Sequence, residues 1–182
     1  IRPTHISNNF TKILVHQLRA EIQAIMIGTN TAIKDNPSLT TRLWKGKNPI
    51  RVILDRRGRI PRGYNILDGN VETLIFTEKI IHENKNNAVT YILVPFDSNL
   101  LTNIFAELKK RKINSVLVEG GRQLLQNIID NGLWDEAFIE TGNIILGNGV
   151  TAPIIQSDVK AEQLIVNKNS YSCKLLNLNA RG

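Results

Sequence analysis

Cysteine is almost missing from this chain, and Cys173 alone can form neither an internal disulfide nor a zinc site built on several thiolates. A reducing, cytoplasmic setting is therefore expected. Long hydrophobic runs are missing too: no stretch reaches the roughly 18 apolar residues of a membrane-spanning helix, so no membrane partner is expected. Aromatic residues make up only 5% of the composition, too few for the stacking platform of a single-strand-binding protein. Dense basic blocks are lacking as well. The 23 Lys and Arg outnumber the 16 Asp and Glu to give +7, but the richest clusters, LDRRGRIPR and LKKRKI, are short. That excess implies an anionic partner, and scattered bases suit a phosphorylated small molecule better than nucleic acid. The second cluster ends a helical pattern, where cations complement the helix dipole.

What remains is a chain of 182 residues, 42% of them hydrophobic, enough for one domain with a real core. A Ser7-Asn8 cap signal precedes NNFTKILVHQLRAEI, where Phe10, Ile13, Leu14 and Leu18 form a helical stripe. QAIMIG reads as a strand, and the segment TNTAIKDNPSLTTRLWKGKNP after it reads as too polar for the core. Strands IRVILD, VETLIF and TYILV follow, then the amphipathic helix NLLTNIFAELKKRK with Leu100, Leu101, Ile104, Phe105 and Leu108 inward. The strand NSVLVE comes next, and WDEAFIET, EQLIVNKNS and YSCKLLNLN close the chain in β-structure. Alternating strands and helices followed by β predict an α/β fold: a mostly parallel central sheet flanked by helices, with an antiparallel C-terminal element. Ligands of open α/β sheets bind at the carboxyl ends of the strands. That singles out the loops IGTNTAIKDNPSLTTR, LDRRGR and VEGGRQ.

VLVEGGRQLL holds the sharpest local signal. Val116, Leu117 and Val118 read as a buried strand that breaks at Gly120-Gly121, and a helix resumes with Leu124, Leu125, Ile128 and Ile129 before Asn131-Gly132 stops it. Backbone N–H groups opening such a helix can hold phosphate. A tight β-to-α connection with nothing bound is the alternative, and the stretch alone does not choose.

Four segments in this order and at familiar intervals, LRAEIQAIMIGTNTAIKDNPSLTTR, PIRVILDRRGRIP, VLVEGGRQLL and GLWDEAFIE, carry a resemblance over nearly the whole chain. They resemble the reductase domain of the bifunctional riboflavin-biosynthesis deaminase/reductase, and DNPSLTTR is the most specific element. The resemblance implies a dihydrofolate-reductase-like fold, usually dimeric. It also implies NADPH-dependent reduction of the ribosyl group of 5-amino-6-(5-phosphoribosylamino)uracil to ribityl. Gly121, Arg122, Gln123, Leu124, Leu125, Gln126 and Asn127 match the pyrophosphate-binding turn and first helical residues. Thr31 and Asp35 match cofactor contacts, Asp35 being the catalytic carboxylate expected beside the nicotinamide. Arg56, with Arg57 and Arg59 behind Asp55, suits a 2′-phosphate. Glu119, Arg19, Arg42 and Leu39 match substrate contacts: a carboxylate for the pyrimidine N–H groups, guanidinium forks for the ribose phosphate, and a packing residue. No metal site is implied.

Three departures from the family pattern stand out. His5 occupies a cofactor-binding position where relatives often carry tryptophan, and Asn36 replaces the second aspartate of the usual pair. The chain also starts after the point of the family's first strand and without its deaminase domain, which is expected on the same polypeptide in the full-length protein. The whole of 1–182 is then one reductase domain. Two rivals remain: a reductase of the undeaminated pyrimidine or another dihydrofolate-reductase-like substrate, and a basic nucleotide- or RNA-binding module, which the scarcity of aromatics disfavours.

Overall fold

A computed structural model describes residues 8–79, 87–143, 145, 147, 149–156, 158–167 and 170–180. Helix α1 (Asn9–Glu21) leads into strand β1 (Ala24–Gly28), short helix α2 (Thr29–Asp35) and strand β2 (Ile50–Leu54). A 3-10 turn (Asn65–Leu67) precedes strands β3 (Thr73–Thr77) and β4 (Val89–Leu93). Helix α3 (Leu100–Lys110), strand β5 (Val116–Gly120) and helix α4 (Arg122–Asp130) come next. Strands β6 (Glu136–Gly142), β7 (Val159–Asn167) and β8 (Ser170–Asn177) close the order.

Two sheets form. The first is five-stranded and parallel, in the order β4-β3-β2-β1-β5; the second is antiparallel, β6-β8-β7. The expected α/β architecture with an antiparallel C-terminal element is therefore what the chain adopts. Its central strands are apolar on both faces because both faces are covered. Ala24, Met26, Val52, Leu54, Leu74 and Phe76 pack one face against Ile104 and Leu108 of α3 and Leu124 and Ile128 of α4. Ile25, Ile27, Ile53 and Ile75 pack the other against Ala32 of α2 and Ile66 of the 3-10 turn. The second sheet is tied in by Asn177, which donates to the Trp134 carbonyl at 2.8 Å, and by Asn8, which donates to Ser170 Oγ at 3.1 Å.

Local signals explain most boundaries. The Asn8 side chain accepts from the Phe10 and Thr11 N–H groups and caps α1 as expected. Gly132, at φ +63°, follows the end of α4. In α3, Ile104 and Leu108 are buried and Leu100, Leu101 and Phe105 pack partly against them, as the spacing predicts.

Three expectations need correction. In α1 the inward residues are Thr11 and His16, whereas Phe10 and Ile13 are exposed; the helix turns its more polar face inward, toward Glu119 and Thr40. The segment judged too polar for the core supplies buried Ala32, Leu39 and Thr41 and forms helix α2. Its apolar residues are too few to show a period, yet Ala32 and Leu39 pack into the core cluster on one sheet face, while Leu43 and Trp44 stay exposed. Finally, Val116, Leu117 and Val118 are half-buried rather than buried, because β5 is an edge strand.

Candidate functional site

Strand order reverses around β1, with β2 on one side and β5 on the other, so the switch point lies between the carboxyl ends of β1 and β5. Three things meet there. The β1–β5 ladder slips after Met26, so that Met26 pairs with Val118 but Ile27 pairs with Gly120. Glu119 is the residue left over, and such a bulge re-aims its side chain. Gly120 then passes so close to α2 that an added Cβ would stand 2.8 Å from Thr31 Cγ2. Gly121 turns the chain at φ +86° and serves as the N-cap of α4 without any side-chain cap. The first N–H groups of α4 thus have no intrahelical partner. An open cavity of about 380 Å³ lies along the first two turns of α4, lined by Arg122, Gln123, Gln126 and Asn127.

The bulged Glu119 faces a cluster of bases. Arg19 grips it in a fork, Nε to Oε1 at 2.7 Å and Nη2 to Oε2 at 2.5 Å, while Nη1 donates to the Thr40 carbonyl at 3.1 Å. Both side chains are largely shielded, at 12% and 19% exposure, so this pair is desolvated as well as bidentate. His16, one turn before Arg19, is buried, and its Nδ1 has no hydrogen-bond partner. Burial, helped by the Arg19 and Arg42 charges, holds the His16 imidazole below its usual pKa, against the opposing influence of the Thr40 carbonyl and Glu119. Arg42 is exposed and, among the described residues, reaches Thr40 Oγ1 at 3.4 Å. Two guanidiniums around one carboxylate leave the cluster cationic, which suits an anionic ligand.

A second basic group follows β2. Thr29 Oγ1 donates to the Leu54 carbonyl, and Thr29 with Arg56, Arg57 and Arg59 lines an open cavity of about 270 Å³. Asp55 lies beneath it at 2% exposure, accepting from the Ile60 N–H at 3.0 Å; it organises the arginine loop. Arg56 donates through Nε to Glu78 at 2.7 Å, and that bond raises the guanidinium pKa. Arg59 donates to Asn30 at 3.1 Å. The first turn of α2 therefore joins both regions, with Thr29 at the arginine cavity and Thr31 at the glycine turn.

The structure brings Arg19, Arg42 and Glu119 to one place, and Thr31 to Gly121. It puts Asp35 at the exposed end of α2. Leu39 is 2% exposed in the core at φ +53°, so only its backbone is free to meet a ligand. The Leu124 side chain is likewise in the core. Gln126 exchanges hydrogen bonds of 3.1 and 2.9 Å with the Ile154 backbone, which fixes the segment crossing α4. His5 lies outside the described residues. Sequence reasoning passed over His16, although its i, i+3 spacing to Arg19 places both on one helical face. It also passed over Arg51, an arginine inside an otherwise apolar strand.

Residues 2–177 match the family described as the RibD C-terminal domain. The riboflavin biosynthesis protein RibD of Chlamydia pneumoniae is 32% identical over 177 residues, covering 84% of this chain and 46% of that protein. The 2,5-diamino-6-ribosylamino-4(3H)-pyrimidinone 5′-phosphate reductase of Archaeoglobus fulgidus is also 32% identical, over 148 residues, 74% of this chain and 68% of its own length. A crystal structure of the Thermotoga maritima deaminase/5-amino-6-(5-phosphoribosylamino)uracil reductase superposes with a TM-score of 0.79 at 28% identity, over 93% of this chain and 49% of that one. The chain thus spans about half the length of the RibD relatives it matches.

Proposed function

We propose that this chain, which belongs to the RibD C-terminal domain family, reduces the ribosyl group of 5-amino-6-(5-phosphoribosylamino)uracil to ribityl with NADPH as reductant. The observation that carries the reading is the bulged Glu119, forked by Arg19 and adjoining the Gly120-Gly121 turn at the switch point. One carboxylate and two guanidiniums answer a substrate with pyrimidine N–H donors at one end and a phosphate at the other. Held by Arg19 on both oxygens, Glu119 keeps lone pairs for the pyrimidine, and Arg42 is exposed for the phosphate.

The residues fit a dinucleotide phosphate cofactor. Gly121 has no Cβ and leaves the first α4 N–H groups open to a pyrophosphate, and the Thr29–Arg56–Arg57–Arg59 cavity suits a 2′-phosphate. A bound nicotinamide supplies the hydride for the ribosyl carbon. The protein then has to bind and orient the two partners, with Thr31 packed beneath the glycine turn and Asp35 assigned beside the nicotinamide. The same reading carries a homodimer and a deaminase domain on the same polypeptide, in the cytoplasm.

A second reading, reduction of the undeaminated diaminopyrimidine, is favoured by the Archaeoglobus reductase, of which this chain covers the larger share. Steady-state NADPH oxidation with each pyrimidine decides between them. Turnover with the uracil substrate at the higher kcat/KM supports the first; preference for the diaminopyrimidine establishes the second. No NADPH binding together with tight single-stranded RNA binding would overturn both.

A further inference from the structure

The most deeply buried charge among the described residues belongs to none of those so far assigned to a ligand. Arg51 of β2 is 0% exposed, on the sheet face that otherwise carries Ile25, Ile53 and Ile75. An aliphatic residue would fill that place at no electrostatic cost, and buried ion pairs are often no better than apolar packing for stability. What the guanidinium does instead is join two loops. Its Nε donates to the Ser38 carbonyl at 3.0 Å, and its Nη1 to the Asn65 carbonyl at 3.2 Å and Asp68 Oδ1 at 2.8 Å. Burial alone would raise the Asp68 carboxyl, but bonds from Arg51 and Asn70 hold it below its usual range, so the pair stays charged.

The Ser38 carbonyl lies between two left-handed residues, Asn36 at φ +40° and Leu39 at φ +53°. A branched residue such as Leu at positive φ is uncommon and persists only where its surroundings enforce it. Asn65 donates its backbone N–H to Asn36 Oδ1 and its Nδ2 to the Asn36 carbonyl, 2.8 Å each, so the two loops are fastened twice. Past Leu39, the Thr40 carbonyl is taken by Arg19, and Thr41 is held by Asn48. Each tie fixes one step of the path that ends at Arg42.

We propose that Arg51 is a positioning residue: it fixes the strained path of 36–42 so that Thr40 meets Arg19 and Arg42 is presented to the substrate phosphate. The inference rests on the reductase reading for its substrate and on geometry alone for the loop.

The test compares the full wild-type chain with Arg51→Lys and Arg51→Met, by amide hydrogen exchange and by steady-state kinetics. Exchange in 36–42 is expected to speed up by about tenfold or more, the effect of losing a charge-assisted hydrogen bond, with β1 and β3 unchanged. Substrate KM should rise about fivefold or more, with kcat and the NADPH KM changing less than about twofold, as for a contact made equally in ground and transition states. In an Arg42→Ala background, Arg51→Lys should add little further rise in KM, because both act through one contact. If exchange speeds up evenly along the chain, or the rise in KM adds in full to that of Arg42→Ala while kcat falls, Arg51 is only a core residue and the proposal is overturned. Should both Arg51 variants fail to fold, Asp68→Asn removes the charge from the exposed partner; a smaller rise confined to 36–42 supports the proposal and no rise overturns it. If wild type oxidises no NADPH with either pyrimidine, the reductase reading fails, and the exchange arm still decides the loop.

Discussion

Arg19 and Glu119 stand 100 residues apart in sequence and meet through two parallel hydrogen bonds of 2.7 and 2.5 Å. The contact spans α1 and the bulge of β5, so it fastens a helix to the end of an edge strand, at the place proposed for the substrate. Its stabilising part is open to substitution by itself.

Glu119→Gln keeps the shape of the side chain and removes its charge. Denaturant unfolding should show a loss of about 1–3 kcal/mol, since Arg19 is left shielded without its counterion. Arg19→Met should cost a similar amount, and the double variant should cost less than the sum by at least about 0.5 kcal/mol. Additive losses would mean that the two side chains are not coupled in solution.

His16 gives a pH signature. Its pKa in the folded chain is below the ordinary 6.5, so the unfolded chain takes up the proton first as pH falls. The sign follows: His16 lowers stability as pH drops from about 6.5 toward the depressed folded value, by at most about 1.4 kcal/mol per pH unit for one proton. Above 6.5 it adds no pH dependence. His16→Asn should flatten the stability profile in that window relative to wild type. Parallel profiles for the two proteins would show that the imidazole titrates normally.

How much of this was legible beforehand depends on the range of the forces involved. Strands, helices and their order followed from apolar spacing and from Asn8, Gly121 and Gly132, all local signals. The identities of Arg19, Arg42 and Glu119 followed from motif resemblance. Their mutual arrangement did not, because the bulge at Glu119 is a property of β5 paired with β1, not of VLVEGG by itself. Helix α2 was missed for a related reason: TNTAIKD buries only Ala32 fully, and its stability comes from the sheet beneath. Leu39 was matched as a substrate-packing residue; its side chain lies in the core cluster with Ile53 and Ile66, a burial that DNPSLTTR alone does not announce. Arg51 was invisible because a strand of five residues offers no local sign of which loop carbonyls will surround it.

The arginine cavity allows a clean specificity test. Arg56 and Glu78 are both well exposed, so the stability of Arg56→Ala should match that of wild type closely. Its NADPH affinity should fall about tenfold or more while NADH affinity changes little, because only the 2′-phosphate needs the guanidinium. Equal binding of the two cofactors by wild type would remove this assignment.

The two glycines that open α4 should fail in different ways. At Gly120 an added Cβ would lie 2.8 Å from Thr31 Cγ2 and 3.1 Å from its Oγ1, so Gly120→Ala pushes α2 off the strand end. Overpacking of that kind costs about 1–3 kcal/mol, and Thr31→Ser, which deletes Cγ2, should recover part of it. At Gly121 the space is adequate, with Thr31 Oγ1 at 3.4 Å, but φ is +86°. Gly121→Val therefore adds backbone strain, of order 1–3 kcal/mol, to the side chain it places where a pyrophosphate would approach. Gly121→Ala separates the two effects, since it meets the backbone strain of φ +86°, ψ +113° with a Cβ and no branch. Thermal melting without ligand should then rank Gly121→Ala above Gly121→Val, because a β-branched residue suffers most at positive φ. NADPH titration should be weakened in both, because both carry a Cβ where the pyrophosphate would approach. If Gly121→Ala binds NADPH as wild type does, the turn is a structural connection between β5 and α4 and the cofactor phosphates lie elsewhere. If it melts above Gly121→Val yet loses NADPH as fully, the glycine is required by the ligand.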